Sequence, residues 1–427
     1  MWRALRHRNF RLFVTGQSIS LIGTWMTRVA TSWLVYRLTH SALLLGVVGF
    51  SGQIFTFLLA PFAGVIVDRM NRRQLLVWTQ VLAGLQSLAM AALTLAGVIT
   101  IWEIIALSTL QGVINAFDMP GRQSFLVQMV EDRADLGNAI ALNSSMVNVA
   151  RLIGPALAGI VIGGISLGKL RIGGVGDGYC FLIDGLSYIA VVISLLMMVV
   201  RVAPRPASNQ RMAEQLADGW TYVRGFPPIR TILLLFALTS LMGMPFMVLM
   251  PIFAAQVLHG GPDTLGMLMG ASGVGALAAA VLLAMRRSVR GLTGTIRSSA
   301  FIFGGGLVLF GLSRSVWLSL LLMAVTGYGM MQGMASSNTI IQTLVPEDKR
   351  GRVMSYYTVA FVGMAPFGSL LAGGLAHWLG APHAVILTGS FCLGGAAWYS
   401  TQLPRIRHIM KPIYVEMGLM DAPPKPA

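Results

Sequence analysis

Apolar runs of about twenty residues or more follow one another along this chain, separated by short breaks of charged residues, proline and glycine. Runs of that length predict membrane helices. Twelve are expected, called spans 1 to 12 in chain order, over 11–37, 42–67, 74–97, 101–120, 138–166, 179–201, 229–258, 264–286, 295–313, 315–341, 353–380 and 382–403. The longest must tilt, break or run past the bilayer. The fold class is therefore an all-α membrane protein. Glycines spaced as in Gly46-x-x-Gly49-x-x-Gly52 suit close helix packing in lipid, where small residues let backbones approach.

Composition agrees. Of 427 residues 55 % are hydrophobic and only 11 % charged, and the mean hydropathy is +0.73. A length that would suggest two or three soluble domains carries no such meaning here. Cys180 and Cys392 both lie inside apolar runs and give neither a disulfide framework nor a metal-ligand spacing. The formal charge of +16 could point to nucleic acid, but the positions of the charges argue otherwise. Of the 31 basic residues, 25 fall in segments 1–11, 69–73, 122–133, 201–230, 286–297, 349–352 and 405–425, all on one side of the membrane. Basic loops stay inside, so both termini are expected to be cytoplasmic, with lipid headgroups rather than nucleic acid as the charged partner. The basic start resembles a signal peptide, yet the apolar run behind it is too long and no cleavage site follows, which predicts a retained first helix.

Shifting the sequence by 214 residues brings Gln128, Gly137, Gly154, Leu157, Ala158 and Gly159 onto Gln342, Gly351, Gly368, Leu371, Ala372 and Gly373. Arg72 and Arg73 fall on Arg286 and Arg287 at the same shift. Six helices followed by six in the same orientation predict two parallel half-bundles, 1–201 and 229–403. A basic, proline-containing linker at 202–228 joins them, and a cytoplasmic tail covers 404–427. The middle of the linker, Gln210 to Val223, could form a short surface helix.

The break between spans 2 and 3 reads Gly64-x-x-x-Asp68-Arg69-x-x-Arg72-Arg73. With twelve spans in a six-plus-six repeat, it resembles the major facilitator superfamily over essentially the whole chain. Asn148-x-Ala150-Arg151-x-x-Gly154-Pro155-x-x-Ala158-Gly159 in span 5 is similar to the glycine-proline signature of that family's antiporters, with alanine at 158 where glycine is usual. Pro120-x-Arg122-Gln123, followed by Leu136-x-Asn138-Ala139-x-Ala141-Leu142, resembles the branch that holds the enterobactin exporter and macrolide efflux proteins. The break itself has a plain reading as a positive-inside anchor, which suffices for Arg72 and Arg73. It does not account for Asp68, because acids contribute little to topology. A carboxylate beside Arg69 can face the positive N-terminus of another helix. The resemblance implies that this helix is span 11, near Arg352, and that the contact latches one side shut. It also implies that Asp118 joins this charge cluster. Position 282, the repeat counterpart of Asp68, is leucine.

Three spans carry polar residues at helical spacing: Gln17, Ser20, Thr24, Arg28 and Thr31; Ser108, Gln111, Asn115 and Asp118; Tyr328, Gln332, Ser336 and Thr339. Such stripes can be interhelical glue, but the resemblance implies that spans 1, 4, 7 and 10 line the substrate path. Span 7 brings Met242, Met244, Met247 and Met250 around Pro245 and Pro251, and flexible thioethers suit varied apolar ligands. Arg28, Arg151 and Asp184 lie within spans, where partners or water are expected. Arg28 and Asp184 share the outer half of the first bundle and could neutralise each other, with Glu103 as the alternative partner. Asp184 and Glu103 are the candidates for carrying a coupling proton.

The expected function is secondary export of an amphipathic small molecule, in exchange for protons, with import or facilitated diffusion as the alternative. No Walker A motif is present and no cofactor or metal is called for; the six histidines have no ligand-like spacing, so an enzyme is not expected. The expected location is a bacterial inner membrane, with a monomer as the working unit.

Overall fold

The structure, a computed structural model, describes residues 3–130, 132–167, 170–199, 212–286 and 288–417. Each predicted run falls on a long helical rod. Spans 1 to 6 are Arg8–Thr39, Ala42–Arg69, Arg72–Leu95, Ile101–Met129, Leu136–Gly163 and Asp177–Met197. Spans 7 to 10 are Pro227–Val257, Pro262–Ala284, Leu292–Leu312 and Val316–Leu344, span 11 covers 347–379 and span 12 is Ala381–Glu416. Among the described residues nine helices are long and apolar enough to cross a membrane. Spans 1, 4 and 12 fall outside that set. The first two carry two of the three polar stripes, and span 12 runs on past its apolar part through Arg405, Arg407 and Lys411.

Short polar residues set the helix starts. The Ser41 hydroxyl accepts the Leu44 N–H at 3.3 Å at the head of span 2, and the Asn71 side chain accepts the N–H groups of Arg73 and Gln74 at the head of span 3. Between spans 5 and 6 the chain forms a two-stranded antiparallel hairpin, Gly164–Leu167 with Leu170–Gly173, a feature absent from the helical reading of the sequence. The expected linker helix forms over Met212–Gly225. It docks on the start of span 11, where Asp218 pairs with Arg352 at 3.0 Å and the Trp220 and Tyr356 rings lie 5.8 Å apart.

Spans 7 and 11 are not uniform α-helices. Span 7 holds π-helical turns at Thr239–Gly243 and Phe253–Val257, and span 11 holds one at Val359–Gly363. Pro245, Pro251 and Pro366 sit beside them, and a wider turn accommodates the carbonyl that a proline leaves unbonded. The two spans touch through these turns, with the Ser240 hydroxyl donating to the Phe361 carbonyl at 2.5 Å.

The halves meet through glycine. A Cβ on Gly266 of span 8 would lie 2.9 Å from the Gly159 Cα of span 5, and one on Gly373 of span 11 would lie 2.8 Å from the Gly46 Cα of span 2. Gly159 and Gly373 are repeat mates, so the two crossings correspond. Their partners on the same side of the repeat also correspond: Gly154 packs on Trp25 of span 1, and Gly368 on Leu241 and Pro245 of span 7. Both inter-half crossings lie toward the face opposite the chain ends. Further contacts reach mid-depth, where Gly363 meets the Phe57 ring and Gly273 meets Leu152. No glycine crossing joins the halves nearer the terminal face among the described residues.

Within the first half, Arg73 has a structural task. Its Nε donates to the Leu195 carbonyl at 2.7 Å and its Nη2 to Leu196 at 2.6 Å, capping the C-terminal end of span 6.

Two substitutions check this packing. Gly373→Leu should disrupt the crossing at a cost of about 1–3 kcal/mol, lowering the melting temperature of the purified protein by several degrees. Gly374→Leu is the control, since a Cβ there meets nothing within 4 Å; equal losses from both would show that the crossing is not the cause. Arg73→Ala should cost about 1–2 kcal/mol through the lost helix cap, without changing membrane topology in an accessibility assay.

Candidate functional site

The loop motif is described in part. Gly64, Asp68 and Arg69 belong to the last turns of span 2, but their side chains lie outside the described residues, and with them the expected latch to span 11. Arg72 is buried. Asp118 is buried within the first half, where it accepts from Thr79 at 3.0 Å and Gln80 at 2.7 Å and pairs with Arg122 one turn along its own helix. At the start of span 11, Arg352 reaches Asp218 of the linker helix.

Asp184 occupies a polar knot between spans 1, 3 and 6. Its Oδ2 accepts from the Thr27 and Ser87 hydroxyls, each at 3.0 Å, and its Oδ1 is buried with no hydrogen-bond partner. Gly23 brings the span 1 backbone against it, since a Cβ there would lie 2.7 Å from Oδ1. The expected ion pair between Asp184 and Arg28 is not formed. Arg28 lies five residues beyond Gly23, about 140° round the helix, and turns to a different neighbour.

Glu103 also departs from its expected role. It forms a capping box with Thr100 at the start of span 4, accepting the Thr100 N–H at 2.9 Å and its hydroxyl proton as well. A capping carboxylate at a helix start is an end-of-helix device, neither Arg28's partner nor a deep acid. Asp177, which was not singled out from the sequence, pairs with Arg37 at 3.0 Å, tying the ends of spans 1 and 6 together.

The arginines gather on Trp25. The Arg28 guanidinium carbon lies 4.5 Å from the indole centroid and that of Arg151 lies 5.0 Å from it. Neither makes an ion pair or a hydrogen bond among the described residues, and Arg151 Nε is buried without a partner. An arginine at the centre of a membrane helix costs about 2.5–3.5 kcal/mol. Stacking on an indole returns about 0.5–2 kcal/mol, so each charge is only partly compensated by the protein.

Trp25 and Arg151 also wall a narrow cavity between the halves. Pro155 completes the first-half side, and Met247, Met250, Met269 and Met323 supply much of the other. Met244 instead lines a separate space inside the second half, with Ser240, Ser299 and Phe361. The remaining stripe residues do not converge on either cavity. Gln111 donates to Asn115 at 3.2 Å along span 4, Thr24 bonds back to the Ser20 carbonyl, and Gln17 is buried. Gln332 and Ser336 are buried, each with an unpartnered oxygen, and Tyr328 is half-buried on span 10. In span 5, Gly154 and Gly159 of the glycine-proline motif act as close-packing points. Sequence reasoning passed over Trp25; its place three residues before Arg28, on one helix face, is the signal that could have found it.

Residues 1–415 match the family described as transmembrane secretion effector. The chain is similar to a staphyloferrin A transporter of Staphylococcus aureus, 25 % identical over 84 % of this chain and 88 % of that one. It is similar to the multidrug efflux pump Tap of Mycolicibacterium fortuitum, 25 % identical over 91 % and 93 %. Macrolide efflux protein A of Streptococcus pyogenes is 20 % identical over 91 % and 95 %. Among solved structures, a bacterial homolog of the human lysosomal transporter Spinster, inward-facing and unoccupied, shares the fold with a TM-score of 0.69 at 13 % identity, over 95 % of this chain and 98 % of that one. The chain is a multi-pass bacterial membrane protein and not an enzyme: it belongs to the transmembrane secretion effector family, within the efflux branch of the major facilitator superfamily.

Proposed function

We propose that the protein exports an amphipathic small molecule by alternating access in exchange for protons, and that Asp184 carries the proton. The observation that supports this most is the Asp184 site itself. The carboxylate is buried at a three-span junction, and among the described residues it is bonded by two hydroxyls alone, with one oxygen unpartnered and no ion pair. Hydroxyls can accept from a protonated acid or donate to an ionised one, so the site accommodates both states without rebuilding. Asp118 is held by Arg122 and Glu103 by its own helix start, which leaves Asp184 as the acid deep in a span without a basic partner among the described residues.

The two half-bundles, 1–201 and 229–403, are the moving bodies in this reading, joined by the linker at 202–228. Each glycine crossing is a backbone contact with few polar bonds, and such a contact can open without stranding buried charge. The basic segments support a cytoplasmic terminal face, and Asp68 is proposed as the latch that closes it. The likeness to two efflux proteins supports outward transport.

Everted vesicles with an imposed pH gradient test the reading. Asp184→Asn is expected to reduce uphill substrate accumulation at least roughly tenfold while downhill exchange persists, because only the proton-coupled step needs the ionisable acid. A mutant that still concentrates substrate would move the proton to another acid. Wild-type transport indifferent to pH gradient and membrane potential would replace antiport with facilitated diffusion.

A further inference from the structure

Four acids of the first half's spans are committed away from the arginine pair. Asp118 pairs with Arg122, Asp177 with Arg37, Glu103 caps span 4, and Asp184 faces Thr27 and Ser87. Arg28 and Arg151 nonetheless share one indole, which holds their guanidinium carbons within about 10 Å of each other, inside one Debye length. Two like charges placed together repel, and among the described residues no carboxylate bridges them. The indole contact engages their cationic character but accepts no N–H, so their hydrogen-bond donors stay available. Gly154 fixes the arrangement by letting span 5 close directly onto Trp25. Across the cavity, the second half presents methionine rather than charge.

The geometry points to an anion-binding site: we propose that Arg151 beside Trp25, with Arg28 adding its charge from the same indole at the edge of the space, receives the carboxylate, or a comparable anion, of the transported solute, whose apolar body lies on Met247, Met250, Met269 and Met323. Arginine forks match planar oxyanions, and thioethers adapt to varied apolar shapes. The anion supplies the charge that the protein withholds, and it bridges the halves from a cationic wall to an apolar one. A cationic amphipath meets two like charges in the same space and is disfavoured. This inference deepens the exporter reading and rests on it only for the claim that the bound solute is the one transported.

Binding to purified protein in nanodiscs of neutral lipid tests it, with empty discs subtracted. The probes are pyrenebutyrate and its methyl ester, which share a body and differ in charge. Pyrenebutyrate should bind roughly tenfold tighter than the ester or better, and the preference should weaken as salt is raised. Arg151→Gln and Arg28→Gln should each bring the two probes close to parity, whereas Arg151→Lys, which keeps the charge, should retain most of the preference. Equal affinity of acid and ester for the wild type overturns the proposal, whether or not the glutamine variants fold. Displacement of the probe by phosphatidylglycerol added to the disc also overturns it, by assigning the anion to a lipid headgroup. The exporter reading fails separately: a carboxylate preference with no uphill transport in vesicles leaves the anion site standing and removes the pump, while uphill transport of a cationic dye with no carboxylate preference does the reverse.

Discussion

Two backbone crossings, Gly159 on Gly266 and Gly373 on Gly46, hold the halves of this protein together, and the rest of the architecture follows from how such contacts work in lipid. Lipid tails are as apolar as leucine, so helices gain little by hiding apolar surface from them. Cohesion between the halves must come from close van der Waals contact, which requires backbones to approach without intervening side chains. Glycine supplies that approach at both sites. It also leaves the contact without strong directional bonds, so separating the halves exposes no unpaired charge. The strong polar bonds lie elsewhere, inside each half or between a half and its loops: Asp118 with Arg122, Asp177 with Arg37, Arg73 on the end of span 6, and Asp218 with Arg352. Rigid halves and a smooth joint result from this division.

The halves have nonetheless diverged in what they bury. Among the described residues the first holds the acids and arginines placed deep in a span, namely Arg28, Arg151, Asp184 and Asp118. The second replaces charge with deformable backbone, since π-helical turns and prolines interrupt spans 7 and 11 at corresponding depths. The repeat position of Arg151 is Ala365, which opens the helix that follows the π-helical turn in span 11. One half therefore resembles a fixed electrostatic wall, the other a softer apolar one, and the cavity between them inherits both characters.

Much of this was legible in the sequence. Apolar runs located the helical rods, and the 214-residue shift identified Gly154 with Gly368 and Gly159 with Gly373, the pairs that make corresponding contacts. What failed was angular. Arg28 and Asp184 share a depth, and depth suggested pairing, but contact also requires two side chains to face each other round their helices. That angle depends on how spans 1, 5 and 6 pack, which one sequence does not report. The same limit hid Trp25 as the shared neighbour of two arginines from different spans. Glu103 has a local cause: a Thr-x-x-Glu box at 100–103 is a helix-start signal, and it ties this carboxylate to the end of span 4 rather than to Arg28. The hairpin at 164–173 and the π-helical turns depend on tertiary fit and left no clear local pattern.

Keeping the arginines and Asp184 apart has a consequence for coupling. Had Arg28 paired with Asp184, the ion pair would have favoured the ionised acid in every state, and proton release would have been tied to breaking a buried salt bridge. Instead the acid faces hydroxyls on spans 1 and 3, while Arg28 and Arg151 stack on the Trp25 indole from spans 1 and 5, with Arg151 lining the cavity. Span 1 is the element common to both sites: Thr27 touches the acid, and Trp25 and Arg28 touch the arginine site. Thr27 and Arg28 are adjacent residues pointing to different neighbours, so a small rotation of span 1 changes both sites together. In the proposed reading, protonation of Asp184 and occupation of the arginine site would act on different sides of this one helix, and a shared rigid element of that kind is a route by which two binding events can be linked.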